Sequence, residues 1–319
     1  MKKITLFAIS LALLVIMLGA YTRLIDAGLG CPDWPGCYGQ IMPVVGAAKA
    51  YPASPFVAQK AWAEMIHRYA VGALGLLIAV IVLNIFSRKK LRSRGNVILA
   101  SGLLLLLAYQ ILLGRFTVTL KLWPIVVSQH LLGGFLILVT LWMIYLNLTQ
   151  RVRSMHHKPV QPWIRLYGIF VLALLFVQII LGAWTSTNYA SLSCPDFPFC
   201  MNDQMMTWHF REAFALHPAG VNYEGGILPE GVRQTIQMMH RFGALVVSVL
   251  LLGLVGLLFS RQWRCVYIIA ILLPLQICLG IMNVLFELPV AVAVSHTFVA
   301  ALLLLSVITL VYSAVNRYS

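Results

Sequence analysis

The sequence predicts an all-α membrane protein whose eight transmembrane helices form two parallel four-helix-bundle repeats. This prediction rests on an apolar composition, eight apolar runs and an internal repeat. Of the 319 residues, 61% are hydrophobic and 10% are charged, and the mean hydropathy is +0.90. A soluble domain of this size would not carry so few charges. The net charge of +14 therefore suggests basic cytoplasmic loops, and no nucleic-acid partner is expected.

Eight runs are each long enough to cross a bilayer, which takes about 20 helical residues. They lie near residues 4–21, 62–86, 97–119, 125–147, 166–188, 234–259, 266–286 and 291–314. The first run follows Lys2 and Lys3 and resembles a signal peptide, but it is long for one and lacks an A-x-A cleavage site. We therefore interpret it as the first transmembrane helix.

Lys and Arg are divided unequally between the two sets of loops. One set holds the basic clusters near residues 2–3, 88–94, 151–165, 261–264 and 317. The other set holds only Arg23, Lys49, Lys60, Lys121, Arg211 and Arg233, spread over longer loops. Because basic residues accumulate in cytoplasmic loops, both termini are predicted to be cytoplasmic and the two long loops to lie outside.

A repeat of four helices accounts for the spacing of the motifs. The first run ends in Gly19–Thr22 and its loop contains Cys31–Cys37; Gly182–Thr185 and Cys194–Cys200 recur 163 residues later, with both cysteines in register. Each copy has an even number of helices, so the two copies have the same orientation. We predict an N-terminal half at 1–147, a linker at 148–165 and a C-terminal half at 166–319.

Four intramembrane histidines occupy equivalent positions in the two halves: His67, His130, His240 and His296. Each lies about six residues from the outer start of an even-numbered span, which places all four at one depth, roughly 9 Å below the outer surface. A lone histidine there is more often a helix–helix hydrogen bonder, but four at one depth favour ligands. Imidazole pairs in an apolar slot can hold a haem iron, so we predict His67 with His130 and His240 with His296. Zinc is less favoured, since the four are divided between two bundles.

One half carries a carboxylate that the other lacks. Glu64 lies three residues before His67 on the same helical face, whereas Gln237 occupies the counterpart position. Arg115 is likewise matched by the neutral Ile281. Intramembrane carboxylates are costly and usually functional. We therefore interpret the first half as the site of acid–base chemistry and the second as an electron-transfer site.

Other residues allow a functional and a structural interpretation. Arg68 and Arg241 follow two of the histidines and could bind haem propionates or extend to the membrane interface. Small residues at Gly133, Gly134, Gly243, Ala244 and Ala300 would admit a flat ring or allow close helix packing.

The loop cysteines are predicted to pair as Cys31–Cys37 and Cys194–Cys200 on the oxidising side of the membrane. Both bonds could be structural, and Cys31–Cys37 could also exchange electrons. We expect Cys265 and Cys278 to be buried thiols, His156, His157, His209 and His217 to be ordinary polar residues, and residues 205–216 to form a short interfacial helix.

Together, these residues resemble the haem A synthase family, eight-helix membrane enzymes that make the cofactor of haem-copper oxidases. The resemblance rests on Glu64-x-x-His67-Arg68, His130, His240-Arg241, His296 and the loop cysteines, and it covers nearly the whole chain. It implies that haem O is the substrate and that its C8 methyl group is oxidised to a formyl group by successive hydroxylations. It also implies a permanent haem b iron between His240 and His296, with Arg241 beside it. The substrate site would then contain His67, His130, Glu64, Arg68 and Arg115.

The resemblance further implies a role in cytochrome oxidase assembly in the bacterial inner membrane. The expected partners are membrane lipid, a haem O synthase and an electron acceptor, and a homo-oligomer is left open. Two other classes of protein remain as alternatives: a di-haem cytochrome b-type electron-transfer protein and a haem carrier. Glu64 argues against both, because neither needs an acid at one site only.

Overall fold

The structure, a computed structural model, describes residues 1–52, 54–149, 160–201, 206–259 and 264–315. Within these ranges it is helical and contains no strand. The eight long helices are α1 (Lys2–Leu24), α2 (Ala58–Ser87), α3 (Arg94–Thr119), α4 (Pro124–Thr149), α5 (Pro162–Thr187), α7 (Glu230–Phe259), α8 (Arg264–Leu285) and α9 (Val290–Val315). All eight are long and apolar enough to cross a membrane, so the eight predicted spans are confirmed.

Between α5 and α7 the chain forms one short helix, α6 (Phe210–Ala213). This is shorter than the helix predicted at 205–216, and position 205 lies outside the described residues. His156 and His157 of the predicted linker also lie outside them. The described helices begin where local chemistry favours it: Ser93 caps α3 by accepting the Asn96 backbone N–H at 3.2 Å, and α5 begins with Pro162.

The chain divides into two compact units. Unit 1 comprises Met1–Leu148 together with Leu216–Ile227. Within it α1 packs against α2 and α2 against α3. The Asn147 side chain of α4 donates to Asn96 of α3 at 3.0 Å, and Gly134 of α4 faces Ile16 of α1. The four helices of unit 1 therefore contact one another in a closed ring.

Residues 216–227, which we call the strap, come from the loop between α6 and α7 but belong to unit 1. Trp123 donates its indole N–H to the His217 carbonyl at 2.8 Å, and the Tyr223 backbone N–H donates to the Lys121 carbonyl at 3.1 Å. Lys60 at the start of α2 pairs with Glu224 at 3.5 Å. Burial raises the pKa of Tyr223. The strap is thus fastened to the start of α2 and to the α3–α4 turn.

Unit 2 comprises Thr149–Ala215 and Leu228–Ser319. Helix α5 packs against both α7 and α9, and α8 packs against α7 and α9, so these helices also form a ring. Helix α6 packs against α7, and the Trp184 indole N–H donates to the Ala213 carbonyl of α6 at 2.8 Å. That the two units are parallel copies stays a prediction.

The turn that joins the last two helices is the same in each unit. Lys121 and Leu122 follow α3 with φ of 49° and 61°, and Glu287 and Leu288 follow α8 with φ of 56° and 62°. The second residue of each pair donates its N–H five residues back at 2.8 Å. Such a left-handed helix ending, here without glycine, reverses the chain within a few residues. The turn brings the histidine of the helix that follows it close to the helix that precedes it.

Candidate functional site

Each of the four predicted ligand histidines packs its ring against a glycine of the preceding long helix. A Cβ atom built on that glycine would lie 3.1–3.5 Å from Cε1 of the histidine. In a close-packed interior such contacts leave little room for a larger residue. The four pairs are His67 with Gly19, His130 with Gly114, His240 with Gly182 and His296 with Gly280.

The histidines also come together in twos, as the sequence predicts. His67 lies close enough to His130 for an electrostatic interaction, and His296 is equally placed for His240. All four side chains are partly buried. In the described part of the chain, Nδ1 of His67, His130 and His296 is buried without a hydrogen-bond partner. Unit 1 therefore contains two such unsatisfied imidazole nitrogens and unit 2 contains one, at His296.

Glu64 is bound at both carboxylate oxygens, although it is only 6% exposed. Oε2 accepts the backbone N–H of Cys31 at 2.8 Å, and Oε1 forms an ion pair with Arg68 one turn along the helix. Its counterpart, Gln237, donates to the Ser191 carbonyl at 3.2 Å, and its Oε1 is buried without a partner among the described residues. The carboxylate thus links α2 to the first cysteine loop, and the amide makes no such link to Cys194.

Arg68 of α2 binds backbone carbonyls of the first cysteine loop. Its guanidinium donates to the carbonyls of Asp33 at 3.0 Å and Pro35 at 3.2 Å, and also to that of Gly36. The same group pairs with Glu64. Five N–H donors in a fixed plane suit such a set of oxygens. Arg68 therefore fixes the loop against α2. Its role at a haem propionate stays a prediction.

Arg241 does the same in unit 2. It donates to the carbonyls of Asp196 at 2.7 Å, Pro198 at 3.2 Å and Phe199 at 3.0 Å, which are the counterparts of the three carbonyls bound by Arg68. Without a neighbouring carboxylate, its second nitrogen donates to the Cys194 carbonyl at 2.8 Å. The binding of this loop by arginine is therefore common to both units, and the carboxylate is not.

The bound loops are closed by disulfides. Cys31 is joined to Cys37 and Cys194 to Cys200, which are the pairs expected from the sequence. Three of the four cysteines are fully buried and Cys200 is 4% exposed. Cys31 and Cys37 pack against Ala61 and Met65 of α2, while Cys194 and Cys200 pack against Met238 of α7. In each unit the disulfide contacts the helix within one turn of the arginine that binds the same loop.

Asp33 orders the rest of the first loop. Its carboxylate accepts the backbone N–H groups of Tyr38 at 2.6 Å and Gly39 at 2.8 Å. The Tyr38 hydroxyl donates to the Ser54 carbonyl at 3.3 Å. Burial, followed by the nearby carboxylates of Asp33 and Glu64, raises the pKa of Tyr38. The phenol therefore keeps its proton, and with it this hydrogen bond, at neutral pH.

The arginine contacts predict a loss of stability when Arg241 is changed. Arg241→Met removes four loop hydrogen bonds and is expected to lower the free energy of unfolding by at least about 1.5–3 kcal/mol, the contribution of one charged hydrogen bond. Arg241→Lys keeps the charge but not the fork, so it should restore only part of the loss. Thermal unfolding and proteolysis of the outer loop would measure the effect. Arg211→Met, at an exposed arginine, is the control, and equal stability of the two Met variants would contradict the prediction.

The remaining predicted residues contribute less to this arrangement. Arg115 is exposed. His209 donates its backbone N–H to Thr235 at 3.1 Å, and its ring lies against Gly231. Cys278 is exposed, contrary to expectation, because this part of α8 faces outward; Cys265 is partly buried.

Sequence reasoning missed the four glycines and one glutamine. Gly19, Gly114, Gly182 and Gly280 lie within the repeated motifs, but the sequence does not indicate which neighbour each one faces. Gln178 of α5 was not singled out, yet its amide contacts His240. The repeat holds a signal for it: the position that corresponds to Gln178 in the first half is occupied by Val15.

Eight membrane-length helices in two rings, each ring with a histidine pair and an arginine-bound disulfide loop, are the features of a multi-pass membrane protein. Among the described residues, Glu64 beside the first pair is the one buried carboxylate. The model of the cytochrome oxidase assembly protein family matches residues 2–308, and the chain belongs to this family.

Similar proteins include heme A synthase of Shewanella oneidensis, which is 42% identical over 314 residues, covering 94% of this chain and 92% of that protein. Heme A synthase of Bacillus pumilus is 24% identical, covering 90% of this chain and 86% of its own. Heme A synthase of Wolbachia pipientis is 26% identical, covering 90% and 84% respectively.

Proposed function

We propose that this protein is a haem A synthase, which oxidises the C8 methyl group of haem O to a formyl group. One observation carries the proposal: both units have a glycine-backed histidine pair, but among the described residues only unit 1 has a buried carboxylate, Glu64. The names of its relatives agree with this activity. We assign haem O to His67 and His130 in unit 1, and a permanent haem b to His240 and His296 in unit 2.

The residues of unit 2 fit a haem iron. His240 and His296 are paired, partly buried and surrounded by apolar helices, and Nδ1 of His296 has no protein partner among the described residues. Neutral imidazoles in apolar surroundings are suitable axial ligands. When bound, haem b would supply one-electron transfer. The protein's own part is to hold the two rings, through Gly182 and Gly280, at a fixed separation.

In unit 1 we assign proton transfer to Glu64. Oxidation of a methyl group to a formyl group with oxygen from water would release electrons, which an electron acceptor must take, and protons, which a carboxylate near the reacting group can accept. Arg68 and the Cys31 N–H hold the two oxygens of Glu64, so the carboxylate has a fixed position. Gln237, at the equivalent position, cannot accept a proton near neutral pH. The chemistry would therefore be confined to unit 1.

Identification of the haems extracted from purified protein would test this function. We expect haem b together with haem O, haem A or a partly oxidised intermediate, distinguished by mass. Haem b alone in both units would support the cytochrome b-type alternative. Haem O returned unchanged after incubation with an electron acceptor would support a carrier. Either result would contradict the proposal.

A second measurement tests the glycine contacts. Gly182→Val would place methyl groups against the His240 ring, where even a Cβ would lie 3.1 Å from Cε1. Overpacking of this kind costs about 1–3 kcal/mol, so we expect haem b to bind roughly 10- to 100-fold more weakly. Haem titration with the low-spin absorbance as readout would measure it. Gly256→Val is the control, because a Cβ at that position meets nothing within 4 Å; equal affinities of the two variants would count against the assignment.

A further inference from the structure

Gln178 is the side chain that binds His240 in unit 2. Its amide nitrogen lies 3.0 Å from Nδ1 of His240 and also donates to the His240 backbone carbonyl at 3.0 Å. The other amide atom, Oε1, is buried without a partner in the described part of the chain. One carboxamide on α5 therefore touches both the ring and the backbone of a predicted ligand on α7, and an acceptor atom remains unused.

The Gln178 side chain requires a glycine opposite to it. A Cβ atom at Gly243 would overlap Oε1 of Gln178 and would lie 3.3 Å from its Cδ. In the first half, the positions that correspond to Gln178 and Gly243 hold Val15 and Ala70. The two positions thus differ together between the halves. The first half has an apolar side chain with a methyl group opposite, and the second has an amide with the space to hold it.

The environment of the first-half histidine differs accordingly. Nδ1 of His67 is buried with no hydrogen-bond partner among the described residues, whereas Nδ1 of His240 faces the Gln178 amide. The other glutamine near a histidine does not share this asymmetry: Gln276 lies 3.1 Å from Nε2 of His296, and the first half has its counterpart, Gln110. Gln178 is therefore a side-chain contact to the ring of His240 that the ring of His67 lacks among the described residues.

We propose that Gln178 is a positioning residue that fixes the His240 ring and sets the reduction potential of the haem iron bound by it. The inference rests on the proposed haem b site in unit 2. A partner on the far nitrogen of a ligating imidazole fixes the orientation of the ring and raises its basicity. A more basic axial ligand stabilises ferric iron relative to ferrous iron, which lowers the reduction potential. In unit 1 no described side chain does this for His67, because Val15, at the position of Gln178, offers that ring only its backbone.

A carboxamide suits this task because it offers a donor and an acceptor. An imidazole that binds iron through Nε2 carries its proton on Nδ1 and needs an acceptor there, whereas the other tautomer needs a donor. In the structure the amide nitrogen is the end that faces Nδ1 of His240, and turning Oε1 toward an Nδ1–H would give up the bond from that nitrogen to the His240 carbonyl. Valine at this position could do neither.

Redox titration of the low-spin haem in purified full-length protein would test the proposal. Gln178→Leu removes the hydrogen bond and is expected to raise the midpoint potential and to weaken haem binding by about 10- to 100-fold. Gln178→Glu keeps an oxygen acceptor and adds charge, so the potential should fall below that of the wild type. The matched control is Gln110→Leu, the same change at a buried glutamine of unit 1, which should leave the potential of the second-half haem unchanged.

The expected order of potentials is therefore Glu lowest, Gln intermediate and Leu highest, and any other order would overturn the inference. A merely structural role would lower haem content in Gln178→Leu without shifting the potential of the haem that remains, which would also overturn it. A wild-type protein with no bis-histidine haem in unit 2 would instead refute the proposed function. The double variant Gln178→Val with Gly243→Ala recreates the first-half pair and should reproduce the rise in potential, with Leu181 Cδ1, 3.1 Å from the new Cβ, as the contact that must adjust.

Discussion

Replacing Glu64 with Gln is expected to slow the formation of haem A by a factor on the order of 10²–10⁴, the usual effect of losing a general acid–base group. The substitution nearly preserves volume, and the new amide oxygen can still accept the Cys31 N–H that Glu64 accepts at 2.8 Å. The protein should therefore fold and keep its haem b at His240 and His296. Extracted pigments should contain haem O or a partly oxidised intermediate in place of haem A.

A comparison with Arg68→Lys separates chemistry from loop anchoring. Lysine keeps a positive charge near Glu64 but cannot form the fork that binds the carbonyls of Asp33 and Pro35. If Glu64 acted only by anchoring the loop, Arg68→Lys would be as inactive as Glu64→Gln. Wild-type rates in Glu64→Gln would reduce Glu64 to a hydrogen-bonding residue, and the assignment of the reactive half would then lose its basis.

The second large effect concerns the ligands of unit 2. Ala at either His240 or His296 should abolish the low-spin spectrum of haem b, because a single remaining imidazole cannot provide both axial ligands. Visible absorption and electron paramagnetic resonance of the purified variants would measure it. His209→Ala is the control, since that ring lies against Gly231 at the start of α7 and belongs to neither histidine pair.

The double variant gives the clearest result. With both His240 and His296 replaced, the purified protein should lose the haem assigned to unit 2 and keep the haem bound by His67 and His130. A full complement of bis-imidazole haem b in the double variant would show that the cofactor lies elsewhere.

The helices could be predicted from the sequence because a membrane span depends mainly on length and apolar composition. The paired histidines could be predicted because their depth follows from the rise per residue, and the repeat supplies a second copy of each. Neither inference needs the rotation of one helix about its axis relative to the next.

Contacts that depend on that rotation could not be predicted. Glu64 shares a helical face with His67, but its bond to the Cys31 N–H depends on how a loop folds back over 33 residues. The contact of Gly182 with His240, and that of Gln178 with the same ring, depend on which side of α5 faces α7. The long loop between α5 and α7 shows no periodicity, so nothing in its pattern assigned residues 216–227 to unit 1.

The strap has a consequence for the order in which the protein is made. His67 follows Cys37 by 30 residues, whereas His240 follows Cys200 by 40, so the second loop carries ten residues that the first lacks. The strap lies within this longer stretch, and it is joined to unit 1 at Lys60, Lys121 and Trp123. A ribosome must therefore synthesise α5 and α6 before the unit built from α1 to α4 can be completed. The two halves of the chain are therefore not interchangeable modules, because the later half supplies a part of the unit built from the earlier one.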